Sequence, residues 1–271
     1  MSLRALSAAA FLFAAATSAS AATFTLDFGA QSVPTLDDGP GSVVNYGVVG
    51  NDGTSDIYAR LTALNDFVSP SPGNNGSVAG DIRVSLDRGE VAQLRLDLFL
   101  DAGYTTAYTN SSSYEWSLVF YDIDGISSDH QAYGPNRNET NYYDEVLFRT
   151  PGVVTVASDS VLNTSVTADG ILVSAENQDS VAGQDGLTSL TPEQEQYTAI
   201  YTVTDTSTVL FDYLVQDGAF GSSRRNLLVD GGSLTLTDPV EVGVAPVPLP
   251  AGAPLLAAGL VALGWLRRRK A

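Results

Sequence analysis

Leu94-Arg95-Leu96-Asp97-Leu98-Phe99-Leu100 alternates with a period of two. Successive side chains of an extended strand leave opposite faces, so the four leucines share one face and Arg95, Asp97 and Phe99 the other. The same pattern recurs at Tyr197-Thr198-Ala199-Ile200-Tyr201-Thr202-Val203-Thr204, and residues 207–215 gather Val209, Phe211, Tyr213 and Val215 on one side. Shorter runs at 23–28, 43–49, 81–86, 114–123, 146–149, 153–157, 171–174 and 233–237 also read as strands. Only Thr191-Pro192-Glu193 offers a helix start, with threonine to cap and proline at the first position.

Seven Asp-Gly pairs punctuate these runs: Asp38-Gly39, Asp52-Gly53, Asp124-Gly125, Asp169-Gly170, Asp185-Gly186, Asp217-Gly218 and Asp230-Gly231. Glycine tolerates positive φ and aspartate bonds its own local backbone, so each pair predicts a tight turn. Strands that keep returning to turns predict an all-β fold, an antiparallel β-sandwich. About 220 residues is large for one immunoglobulin-like unit, which favours a jelly-roll-like form. The stretch 69–77, Ser-Pro-Ser-Pro-Gly-Asn-Asn-Gly-Ser, reads as an exposed loop within one domain, the alternative being a break between a small N-terminal piece and the main sandwich.

The 271 residues include no cysteine and one histidine, His130, which excludes disulfide scaffolds, zinc ribbons, thiol proteases and histidine-rich metal sites. The net charge is -18, from 31 acids and 13 bases. Its distribution says more than its total. Arg4, Arg267, Arg268, Arg269 and Lys270 lie in two acid-free terminal segments, so the segment between them holds eight arginines against all 31 acids, a charge of -23. Without clustered bases to neutralise phosphates, that acidic middle argues against nucleic acid as a partner.

The terminal segments read as addresses. Arg4, the apolar run 5–16, and Ala19-Ser20-Ala21 form the n-region, h-region and A-x-A cleavage layout of a secretory signal peptide over 1–21, a substrate for signal peptidase and the secretion machinery. Cutting after Ala21 leaves Ala22 first. At the other end, 251–266 is uncharged for 16 residues and reaches 20 if extended back to Val247, the length of a transmembrane helix. Trp265 and the basic block behind it suit the cytoplasmic interface of the inner membrane. The expected layout is a signal peptide at 1–21, an acidic β-sandwich domain at 22–245, and a C-terminal transmembrane sorting helix with basic stop at 246–271.

Val247-Pro248-Leu249-Pro250-Ala251, an apolar segment, and Arg267-Arg268-Arg269-Lys270, in that order, closely resemble the VPLPA-CTERM sorting signal. That signal is a variant of the PEP-CTERM tripartite signals of Gram-negative bacteria. The resemblance implies an exported surface protein, held transiently in the inner membrane and cut near the proline motif by an exosortase-type transpeptidase. It also implies an association with exopolysaccharide and matrix. In that process the chain is the substrate and supplies no catalytic residue.

Within the acidic middle, Phe120-Tyr121-Asp122-Ile123-Asp124-Gly125 ends a strand with two carboxylates on one side of extended chain. Hard carboxylate oxygens beside a turn suit calcium, with Asp144 or Glu145 as a third ligand. Arg224 and Arg225, the only adjacent bases outside the termini, are expected to pair with nearby acids. Tyr104, Tyr108, Tyr114, Trp116, Tyr121, Tyr133, Tyr142 and Tyr143 crowd one third of the chain. They raise a second reading, a lectin-like carbohydrate-binding module, if their rings are exposed. No G-x-S-x-G elbow occurs, and Ser127, Ser128, Asp129 and His130 are sequence neighbours rather than convergent members of a triad.

Overall fold

A computed structural model describes residues 21–29, 31, 32, 36, 39–70, 72–110, 112–126, 142–176, 186–216 and 225–244. In chain order the strands are β1 (Ala22–Phe24), β2 (Gln31–Ser32), β3 (Val43–Asn51), β4 (Asp56–Ala63), β5 (Gly76–Val78) and β6 (Asp81–Leu86). Then come β7 (Val91–Phe99), β8 (Tyr114–Tyr121), β9 (Gly125–Ile126), β10 (Tyr142–Phe148), β11 (Val153–Ala157) and β12 (Asn163–Val166). The series closes with β13 (Ile171–Ser174), β14 (Ala199–Thr204), β15 (Thr208–Val215), β16 (Arg225–Asp230) and β17 (Pro239–Val244). Among the described residues one α-helix, α1 (Pro192–Glu195), starts where the Thr-Pro-Glu signal places it, and Thr191 and Gln194 close a reciprocal capping box.

The strands form two sheets, so the fold is an all-β sandwich. One sheet runs β17-β11-β14-β8-β16-β6-β5, with β1 added beside β8; the other runs β12-β13-β10-β15-β7-β4-β3-β2, with β9 beside β10. The pairings are antiparallel except that of β1 with β8. From β6 through β9, successive strands pass from one sheet to the other. Two quartets thereby come face to face, β6-β16-β8-β14 and β7-β15-β10-β13.

The leucine ladder behaves as its period demands. Leu94, Leu96 and Leu98 are fully buried, while Arg95, Asp97 and Phe99 face outward, half-buried. At the centre, Phe120 of the first sheet meets Phe148 and Phe211 of the second edge-to-face, at 4.8 and 5.1 Å between ring centroids. Phe148 stacks on Tyr201 at 4.3 Å. Each such ring contributes about 2–3 kcal/mol of burial free energy, which is what draws the two faces together. One contiguous set of buried side chains extends from Phe24 to Val229.

Three local expectations are corrected. Residues 233–237 form no strand; the strands lie on either side, in β16 and β17. The Asp230 carboxylate accepts the Gly232 N–H at 2.7 Å and the Leu234 N–H at 3.1 Å, turning the chain out of the sheet. Leu234 then packs on Val119, Tyr121 and Leu228 on the sheet's outer face. The stretch 69–77 is not simply an exposed loop. Asn75 is 2% exposed, its Oδ1 accepting the Ser85 N–H at 2.7 Å, and the Tyr46 hydroxyl donates to the Gly76 carbonyl. Asp124-Gly125 is no hairpin turn either, since Gly125 opens β9 and pairs with Tyr143.

Asp52-Gly53 and Asp169-Gly170 do make the turns read for them, joining β3 to β4 and β12 to β13. Residues 1–20 with Ala19, read as a signal peptide, and Val247–Ala251, the apolar segment and Arg267–Lys270, read as a sorting signal, lie outside the described residues. Of the A-x-A pair, Ala21 is described, immediately before β1. Among the described residues no helix is long and apolar enough to cross a membrane.

Candidate functional site

β8, β13 and β15 finish at one end of the sandwich, and β10 and β16 start there. At this end Arg225, the first residue of β16, points inward between the sheets. Its side chain is 11% exposed, and those of Asp124 and Asp144 are 2% and 0% exposed. Arg225 Nη2 lies 2.7 Å from Asp144 Oδ2, and Nε reaches both Asp144 oxygens at 3.3 and 3.2 Å. The same Nη2 also contacts Asp124 Oδ1. On the far side of Asp144, the Tyr213 hydroxyl donates to Oδ1 at 2.9 Å. The backbone adds a bond from Asp144 N–H to the Asp124 carbonyl at 2.9 Å.

These residues come from both sheets, so the cluster ties the layers together. Asp144 sits in β10 of the second sheet and Tyr213 in its neighbour β15. Arg225 belongs to the first sheet, and Asp124 follows that sheet's β8. Burial pushes the Asp144 carboxyl well above the usual carboxylate range. The Tyr213 hydroxyl works against that rise, and the charge of Asp122 adds to it. Burial also pulls the Arg225 guanidinium down to about 10, opposed by Asp122. Asp122 itself takes φ = 65°, a left-handed conformation that aspartate tolerates better than most residues.

The four acids expected to hold calcium are therefore divided. Asp124 and Asp144 converge, but on a guanidinium, and Asp122 stands near enough to act on the same charges. Glu145 is the next strand residue after Asp144 and so leaves the opposite face, where the Gln216 amide donates to its Oε2. Among the described residues no group of three or more His, Cys, Asp or Glu side chains is arranged to hold a metal ion. The expectation that Arg225 pairs with acids is met, although its partners lie far away in sequence. Arg224 and His130 fall outside the described residues. Tyr213 was missed as a site residue, since in sequence it is one more apolar-face position of a strand.

The aromatic group also separates. Tyr108, Tyr114 and Trp116 are at most 5% exposed and belong to the packed interior, and Tyr121, 2% exposed, lies in the cluster with Leu234 on its sheet's outer face. The Trp116 indole donates to the Thr206 carbonyl, and the Tyr121 hydroxyl to Asp81. Tyr104 stands on the outer face with Arg60 lying 4.8 Å from its ring centroid. Tyr133 and the side chain of Tyr142 lie outside the described residues, so Tyr104 and Tyr143 are the part-exposed members that can be placed. A cleft of about 700 Å³ opens beside β1 and β8, lined by Thr23, Thr25, Asn51, Glu115 and Ser117. Its hydroxyl and amide groups are partly committed already: Ser117 Oγ and Thr202 Oγ1 are 2.8 Å apart, and the Asn51 amide donates to Asp56.

No protein-family model matches the chain, and no curated protein does. Among solved structures it is similar to the adhesin domain of PrgB from Enterococcus faecalis, with a TM-score of 0.43 and 12% identity. That alignment covers 77% of this chain and 67% of the other.

Proposed function

We propose that the chain is an exported, non-catalytic surface or matrix protein whose acidic β-sandwich is delivered by a VPLPA-type sorting signal and serves a structural or adhesive role. The observation that carries this reading is the ordered block of proline motif, apolar segment and basic stop at 247–270, which begins three residues after β17 ends at Val244. The proposed cleavage after Ala21 agrees with the position of β1, which starts at Ala22. The interleaved order of the two facing quartets supports a jelly-roll form for the sandwich.

The chemistry of the buried cluster supports a non-catalytic reading. Arg225 is committed to two carboxylates, and Asp144 is sealed from solvent, so the group holds layers together without facing a substrate. The test is the intact mass of the protein recovered from membranes and from medium. Loss of residues 1–21 in both fractions, with a further cut within or near Val247–Ala251 in the released form, is the expected result. A released protein that retains both terminal segments contradicts the sorting route.

A further inference from the structure

We propose that the sandwich is presented end-on, with the Asp124–Arg225–Asp144 end turned away from the membrane and the opposite end, where both terminal junctions leave, turned toward it. This rests on the membrane anchoring read from residues 251–270. The polarity itself comes from the described strands. β1 is parallel to β8 and begins in register with it, Ala22 opposite Tyr114, and the Ala22 N–H donates to the Ser113 carbonyl at 3.0 Å. β17 is antiparallel to β11 and finishes with Val244 opposite Val153, the first residue of β11.

Tyr114 and Val153 lie at the same end. Val153 is opposite Thr202 of β14, and Glu115 is opposite Thr204, so both strands start beside the finish of β14. Asp205, just beyond, donates its N–H to the Tyr114 carbonyl. The turn after β7, with Asp101 and Ala102, belongs to this end too. The ion cluster lies at the other end. Arg225 is opposite Leu86 at the finish of β6, and the next residue, Asp87, donates its N–H to the Val68 carbonyl at 3.0 Å.

The eight residues of β8 separate the two ends by roughly 25 Å at the usual rise per strand residue. The six residues 245–250 between Val244 and the apolar segment span at most roughly 20 Å when fully extended. A link shorter than the domain keeps the junction end closest to the bilayer, and Ala22, where β1 begins, lies at that same end. While that anchor holds, whatever approaches the domain from the side away from the membrane meets the cluster end first.

The absence of native cysteine makes the test direct, because one substitution gives one thiol. Val68, 50% exposed at the cluster end, and Ala102, exposed at the junction end, are each changed to cysteine in the full chain and labelled with a fluorescent donor. The chains are reconstituted into vesicles carrying a headgroup-linked acceptor, and flotation first establishes that they are held. Energy transfer from Ala102→Cys is expected to exceed that from Val68→Cys by about twofold or more, given the height difference set by strand length. Asp66→Cys and Thr204→Cys repeat the comparison should either variant fold poorly. Equal or reversed transfer in floated vesicles overturns the orientation while leaving the anchor standing. Chains that do not float overturn the anchor, and the orientation with it.

Discussion

Arg225 of one sheet holds Asp144 of the other, Nη2 to Oδ2 at 2.7 Å, in a position where the carboxylate has no contact with solvent. A buried pair of this kind gains little net stability by existing, since desolvation offsets the attraction. Its consequence lies in what happens when one member is removed.

Arg225→Leu leaves Asp124 and Asp144 buried beside each other without their cation. The expected loss is about 3–5 kcal/mol in denaturant unfolding, the usual cost of breaking a buried pair. Adding Asp124→Asn and Asp144→Asn to that variant is expected to restore a large part of the loss, because the stranded charges go. A single variant within about 1 kcal/mol of the parent would show that water reaches the cluster.

A calcium ion at this site would have to displace an arginine. Because the guanidinium already lies between Asp124 and Asp144, and Glu145 faces elsewhere, millimolar calcium is expected to leave the melting temperature within about 1 °C of that in chelator. A rise of several degrees would show that the ion displaces Arg225 or binds other acids.

Asp52, in the β3–β4 turn, gives a pH dependence with a defined sign. Hydrogen bonds from the Thr54 hydroxyl and N–H, then the Ser55 N–H and Tyr108 hydroxyl, outweigh burial and hold its carboxyl at about 2, against an ordinary 3.8. A depressed folded pKa contributes stability that is present above the unfolded value and lost as pH falls through the folded one. The melting-temperature gap between the parent and Asp52→Asn is therefore expected to be constant above about pH 5, to narrow below about pH 4, and to close near pH 2. A gap unchanged down to pH 2 contradicts the assignment.

Gly231 is where β1's continuation crosses the end of β16. The Leu26 N–H donates to the Gly231 carbonyl at 2.8 Å, and a Cβ on Gly231 would run into the Leu26 carbonyl. Gly231→Ala is expected to destabilise by about 1–3 kcal/mol and to expose 22–28 to limited proteolysis. Gly39→Ala, where a Cβ meets nothing within 4 Å, serves as the tolerated control.

The regular part of this fold was legible because period-two patterning is a local property. β6, β11 and β13 match their expected bounds, and the leucines of β7 face inward as read. β10 was read too short: Tyr142-Tyr143-Asp144-Glu145 looks like a polar approach to a strand, and only Arg225, 81 residues away, and Tyr213 make a buried Asp144 tolerable. β4 and β16 were missed for a related reason. Arg60 interrupts the apolar run of β4 and lies over outer-face rings, while β16 opens on the polar pair Arg225-Asn226, which leaves only three apolar residues, and Arg225 reaches a distant carboxylate. Likewise, crowding of aromatics in sequence could not separate Trp116 and Tyr108 in the interior from Tyr104 outside, since burial depends on which strand covers which.

The bond from Leu26 to Gly231 also bears on when the molecule can finish folding. Its partners are about two hundred residues apart, and β1 seats itself along β8 in line with a strand made near the end of the domain. Contacts of such sequence separation slow folding, because a long loop must close before they return any energy. The Leu26–Gly231 bond cannot close until residues 225–232 have been synthesised. On the proposed export route, a chain whose last tie forms so late stays threadable during translocation and closes only on the far side.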